Sequence, residues 1–199
     1  MKEETTMQDL QERLAMIESM LAEGRRATQR WGWSIVLWGV AYYVATGWAT
    51  WGKSNLAWPV TMIAAGIITA VGFTRGSRGT AETVVGRAIG GVWAGMGIST
   101  FILLMTLGLS GRYDGHVCVA IVGAMLGSAN LASAIIIKWK AQYLCAAVWL
   151  ASTVVAGFGS DRATLIAFLA ATFLGMIAFG IYAMICESRQ RKQNGVVHA

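Results

Sequence analysis

The chain reads as an all-α, polytopic membrane bundle: six transmembrane helices in three antiparallel hairpins, preceded by an amphipathic helix in the cytoplasm. Three observations predict this. Of 199 residues, 56% are apolar and only 13% charged, about half the charge of an ordinary soluble domain. Six stretches contain no Asp, Glu, Lys, Arg or His at all: Trp31–Trp51, Leu56–Phe73, Ala88–Leu109, Val117–Ile137, Tyr143–Phe158 and Ala163–Cys186. The 16 Lys and Arg residues are divided unevenly among the connections between those stretches.

Five of the six runs reach the roughly 18 residues that span a bilayer as a helix, and the fifth, 143–158, does so if Ala141 and Gln142 extend it. Only helices and closed barrels satisfy every backbone group in hydrocarbon, and these runs lack the alternation of barrel strands. Residues 1–30 then form a cytoplasmic lead, 31–186 the membrane domain and 187–199 a basic tail. Lys2, Arg13, Arg25, Arg26, Arg30, Arg75, Arg78, Arg87, Lys138, Lys140, Arg189, Arg191 and Lys192 fall on one side; only Lys53, Arg112 and Arg162 fall on the other. Cationic loops stay in the cytoplasm, so both termini are expected there. Arg25, Arg26, Arg30, Arg189, Arg191 and Lys192 would lie at lipid headgroups, making membrane lipid, and not nucleic acid, the partner of the net +6 charge. Trp31, Trp33, Trp139 and Tyr143 suit the inner interface, and Trp48, Trp51, Trp58 and Tyr113 the outer one. Pro59 fits the first turn of the second span, where a missing N–H costs little.

Short outer connections at 52–55, 110–116 and 159–162 pair the helices first with second, third with fourth, and fifth with sixth. Trp38, Trp93 and Trp149 recur at spacings of 55 and 56, one near the start of each hairpin, but nine tryptophans make such a spacing easy to reach by coincidence. Small residues recur every fourth position: Ala41, Ala45 and Ala49; Gly91 and Gly95; Gly123 and Gly127; Ala167, Ala171 and Gly175. Such steps let backbones approach closely where lipid offers no hydrophobic drive. Contact within one chain is the expectation, with contact between copies the alternative.

The lead carries an apolar stripe, Met7, Leu10, Leu14, Ile17 and Leu21, stepping by three and four residues. Thr5 with Gln8 suggests a capping box, and Asp9 with Arg13 an i, i+4 pair. Lys2 and Arg13 stand against Glu3, Glu4, Asp9, Glu12, Glu18 and Glu23. A surface-lying helix normally carries Lys and Arg; this acidic one would be repelled by an anionic leaflet. A protein contact is expected for the stripe, through a second copy or another membrane or cytoplasmic protein, ahead of docking on the chain itself. The lead Met16-Ile17-Glu18-Ser19-Met20-Leu21, followed by Gly24-Arg25-Arg26 and Trp31-Gly32-Trp33, resembles that of a loose group of small bacterial polytopic membrane proteins. The resemblance covers roughly residues 10–50 and implies a bacterial inner membrane, with no activity attached.

Few residues suggest chemistry. Gly47 to Ser54 fits the G-x-x-x-x-G-K-[ST] phosphate-loop pattern, yet an apolar helix precedes it and Trp48 and Trp51 fill it. Asp114, His116 and Cys118 place three weak metal candidates two residues apart, although a polar turn entering a helix explains them equally. Ser99, Thr100, Ser128, Asn130 and Ser133 form an expected polar layer at mid-membrane, with Asn130 the one amide within any span. No span holds an ionisable acid, base or histidine, which argues against coupled transport, haem binding and intramembrane catalysis. The expectation is a non-enzymatic protein without cofactor or metal, acting through self-association or as an accessory subunit. The alternative is a small permease or channel for a neutral or weakly polar solute, lined by the Ser/Thr/Asn layer.

Overall fold

The computed structural model describes the backbone of residues 2–54, 56–76 and 84–196, and the side chains of 9–26, 28–54, 56–75 and 84–190. The described residues form helices and no strand: α1 (Lys2–Arg30), α2 (Gly32–Gly52), α3 (Ala57–Gly76), α4 (Val84–Leu109), α5 (Gly115–Ile137), α6 (Lys140–Phe158), α7 (Asp161–Thr172), a π-helical segment (Phe173–Ala178) and α8 (Phe179–Val196). The last three run on as one rod.

Five segments are long and apolar enough to cross a membrane: Ala57–Arg75, Val84–Leu109, Gly115–Ile137, Lys140–Phe158 and Asp161–Gln190. The first expected span, 31–51, forms α2 but falls short in hydropathy. Its 21 residues reach about 31 Å, enough for a bilayer core. What lowers it is four tryptophans and two tyrosines between Trp33 and Trp51, whose rings carry polar edges. The last four spans start earlier than the charge-free runs imply. Arg87, Lys140, Asp161 and Arg162 ride in first turns, where side chains reach outward along the rod.

Hydroxyls inside the rods turn back on their own helix. Thr46, Thr61, Thr69, Thr100 and Thr172 each donate to the carbonyl four residues earlier, so these polar groups enter an apolar setting already satisfied. Between rods, tryptophan supplies the links. Trp38 Nε1 donates to Thr69 Oγ1 at 3.1 Å, joining α2 to α3, and Trp93 Nε1 donates to Ser133 Oγ at 3.1 Å, joining α4 to α5. Trp149, fully buried on α6, directs its Nε1 at Gly175, where an added Cβ would lie only 2.5 Å away.

The most extensive packing joins α5 to α6. Gly123 and Gly127 make it possible, because a Cβ there would meet Thr153, Ser152 and Leu150 at 2.5–2.9 Å. Lys138 takes a left-handed φ of 50°, which reverses the chain within two residues. The core lies around Tyr42, Leu126, Trp149, Phe168 and Met176. Tyr42 stacks on Phe168 at 5.8 Å and meets Trp58 edge-on at 5.7 Å.

Two expectations about packing are corrected. Gly91 and Gly95 on α4 do not meet another helix of this chain: both are exposed, with nothing within 4 Å of a built Cβ. The lead is helical from Lys2, so Thr5 lies inside α1 and does not begin it. The capping hydroxyl and the Met7 side chain fall outside the described side chains. Arg13 and Asp9 do pair, at 3.0 Å.

Candidate functional site

α1 has two halves with different surroundings. Its C-terminal part is wedged into the bundle, with Gly24 against Val85 and Ile137, and Thr28 and Gln29 buried. Thr28 Oγ1 donates to the Gly24 carbonyl at 3.1 Å, so the buried hydroxyl is satisfied within α1. Trp31 then interrupts it for a single residue, at φ −86° and ψ 0°, before α2 begins. Its ring packs edge-on against Phe73 at 5.6 Å, fixing the junction to α3.

The N-terminal half has no such support. Leu10, Leu14 and Ile17 are 52%, 56% and 53% exposed, and Met16 and Met20 beside them are exposed as well. Leu21, nearer the bundle, is half-buried. Leu10, Leu14 and Ile17 are therefore uncovered on a helix, and they do not dock on the described surface of this chain. A second uncovered face runs along α4, where Gly91, Gly95 and Ser99 follow one another at four-residue steps, all exposed.

The expected polar layer divides. Thr100, Asn130 and Ser133 are buried, while Ser99 and Ser128 face outward. Asn130 Nδ2 donates to the Leu126 carbonyl at 2.8 Å, and Ser133 receives the Trp93 indole. These five side chains do not share one lining, and the buried ones brace helices. Asn130 is also not the only buried amide. Gln142, in the first turn of α6, is fully buried, and neither atom of its amide has a partner. Lys140, three residues from the apolar run, made this segment read as a loop. The clue was that Ala141 and Gln142 could lengthen a run otherwise too short to span.

The weak metal triad is dispersed. Asp114 caps α5, accepting from the Val117 N–H at 3.0 Å. His116 lies between acceptors on two other helices: Nδ1 is 2.9 Å from the Ala156 carbonyl, and Nε2 is 2.7 Å from Asp161 Oδ1. Cys118 is buried and free. Among the described residues, no three His, Cys, Asp or Glu side chains are placed to hold a metal ion. What the histidine does is clamp α5 to the α6–α7 turn. The phosphate-loop pattern is likewise no loop, because Gly47 to Gly52 is helical and the tryptophans lie against its glycines.

Of the cations assigned to headgroups, Arg25, Arg26 and Arg189 surround one cavity, and Arg30 does not line it. The side chains of Arg191 and Lys192 lie outside the described ones. Comparisons with family models, curated proteins and solved structures find no match to this chain.

Proposed function

We propose that the protein is a non-enzymatic, six-span membrane protein that works as a self-associating subunit, with a second copy of the chain covering α1. The observation that carries this reading is the uncovered stripe Leu10, Leu14 and Ile17 on a helix rigidly rooted in the bundle. Three large aliphatic side chains in a line are costly to leave in water, at about 25 cal/mol for each Å² of apolar surface. A second copy is favoured over an unrelated partner by the open Gly91, Gly95 and Ser99 face on α4. Small residues at this spacing suit close pairing of two like helices in lipid. Tethering then raises the effective concentration of one α1 near another, which compensates for a stripe of little more than two heptads.

The sixth crossing is α2. It has the length, and its contacts support it: Trp31 touches Phe73 near one end, and Trp38 bonds Thr69 further along. Trp38, Trp93 and Trp149 each reach the helix that follows, which favours three hairpins, and the extensive α5–α6 packing then joins the second hairpin to the third. The orientation with both termini in the cytoplasm of a bacterial inner membrane rests on the distribution of Lys and Arg.

Leu14→Asp and Ile17→Asp should each reduce the oligomer, measured by native mass spectrometry of gently solubilised protein, to the monomer. Gly95→Ile should weaken it without affecting membrane insertion. An unchanged mass in all three variants removes the proposal.

A further inference from the structure

We propose that the cavity between α1 and α8 is a binding site for a phosphate group carried by an anionic ligand, independent of self-association. The cavity measures about 450 Å³ and is lined by Arg25, Arg26, Gln29, Trp139, Tyr182 and Arg189, among others, within the size range of small-molecule sites. Three arginines line it and no aspartate or glutamate does. Like charges gathered this way repel one another until an anion enters, and the planar fork of arginine matches phosphate geometry.

Two further details show that the site is built and not a chance cluster on a surface. Arg25 Nε is buried with no hydrogen-bond partner, and so is the amide oxygen of Gln29, a side chain only 5% exposed. Buried polar atoms are nearly always paired, and leaving one unpaired costs about 1–3 kcal/mol. Arg25 needs an acceptor, which a phosphate oxygen provides. Gln29 needs a donor, which a hydroxyl on the same ligand provides. The walls keep this arrangement in place: Trp139 is buried against Phe179 at 5.1 Å and stacks on Tyr182 at 6.0 Å.

The position suits such a ligand. The cavity lies where α1, the start of α6 and the end of the last span come together. Tryptophan and tyrosine favour headgroup depth. A phosphate there could come from a lipid headgroup that also carries a hydroxyl, or from a soluble phosphate ester.

The test uses full-length protein in a neutral detergent, titrated with phosphatidylglycerol, phosphatidylcholine or glycerol 3-phosphate, with bound ligand counted by native mass spectrometry. One phosphatidylglycerol or one glycerol 3-phosphate per chain is expected, and which of them binds identifies the source. Arg25→Gln and Arg189→Gln should each weaken that binding about tenfold. Arg189 is exposed, so its variant keeps the test valid if Arg25→Gln misfolds. Lys140→Gln removes the same charge outside the cavity and should leave binding unchanged. The proposal is overturned if phosphatidylcholine binds as tightly as phosphatidylglycerol, if Lys140→Gln weakens binding as much as Arg189→Gln, or if neither anionic ligand binds.

Discussion

At the scale of single residues, the buried amides and indoles differ in whether they have partners, and that difference predicts what mutation does. Ser133 accepts from Trp93 across the α4–α5 contact, so Ser133→Ala leaves a half-buried N–H unpaired. Its cost should be about 1–3 kcal/mol, and Trp93→Phe in the same background should recover part of it, because removing both partners is cheaper than removing one. Thermal unfolding in detergent measures both. Gln142 presents the opposite case. Its amide is buried with no partner, so Gln142→Leu should raise the unfolding temperature. A fall instead would show that this amide is held by a bound water or ligand. The sequence could not separate the two cases. Ser133 stood out by its place among other polar residues, whereas Gln142 was obscured by the adjacent Lys140 and Lys138. Which way a side chain faces depends on the neighbouring rod, and Ser99 and Thr100, adjacent in sequence, face opposite ways.

At the scale of elements, charge-free runs located the rods well because hydrocarbon excludes charge more strictly than it requires any particular apolar residue. The ends were less legible. Long cationic side chains extend outward from a helix, so Arg87 and Lys140 belong to rods whose apolar stretches begin several residues later. Aromatic content sets α2 apart from the other rods, since rings with polar edges lower hydropathy without shortening the helix. The π-helical turn at Phe173–Ala178 had no visible signal. It is seen only where Gly175 faces the Trp149 indole, a fit made by two distant elements. Gly175→Ala should therefore destabilise the fold by about 1–3 kcal/mol through overpacking, read as a lower unfolding temperature, while Gly157→Ala, exposed on α6 with nothing within 4 Å of a built Cβ, should not lower it.

At the scale of the whole molecule, the number of crossings decides which compartment α1 occupies. With α2 crossing, Glu12 and Lys140 share a side, and Ser110 lies on the other. Single cysteines at these positions, in a chain lacking Cys118, Cys145 and Cys186, should report this with a membrane-impermeant maleimide on intact cells. Ser110→Cys should react at once, and Glu12→Cys and Lys140→Cys only after permeabilisation. Labelling of Glu12→Cys on the side opposite Lys140→Cys would mean that α2 does not cross. The composition and the charge-free runs led unaided to an all-helical chain with several rods long and apolar enough to cross a membrane, since both express the exclusion of charge from hydrocarbon. The candidate site was only half visible. The stripe on α1 is periodic along the chain, whereas the phosphate cavity brings together residues from positions 25 to 189.

The single-residue interruption at Trp31 has a mechanical consequence. α1 holds 29 residues, about 43 Å of helix, and it is clamped near one end by Gly24, Thr28 and the Trp31–Phe73 contact. A force applied at Leu10 thus acts on a long arm with its pivot at the membrane border, and α2 is the element on the far side of that pivot. Whatever grips the free end of α1 exerts torque on α2, and the wall that α1 supplies to the arginine-lined cavity must tilt with it.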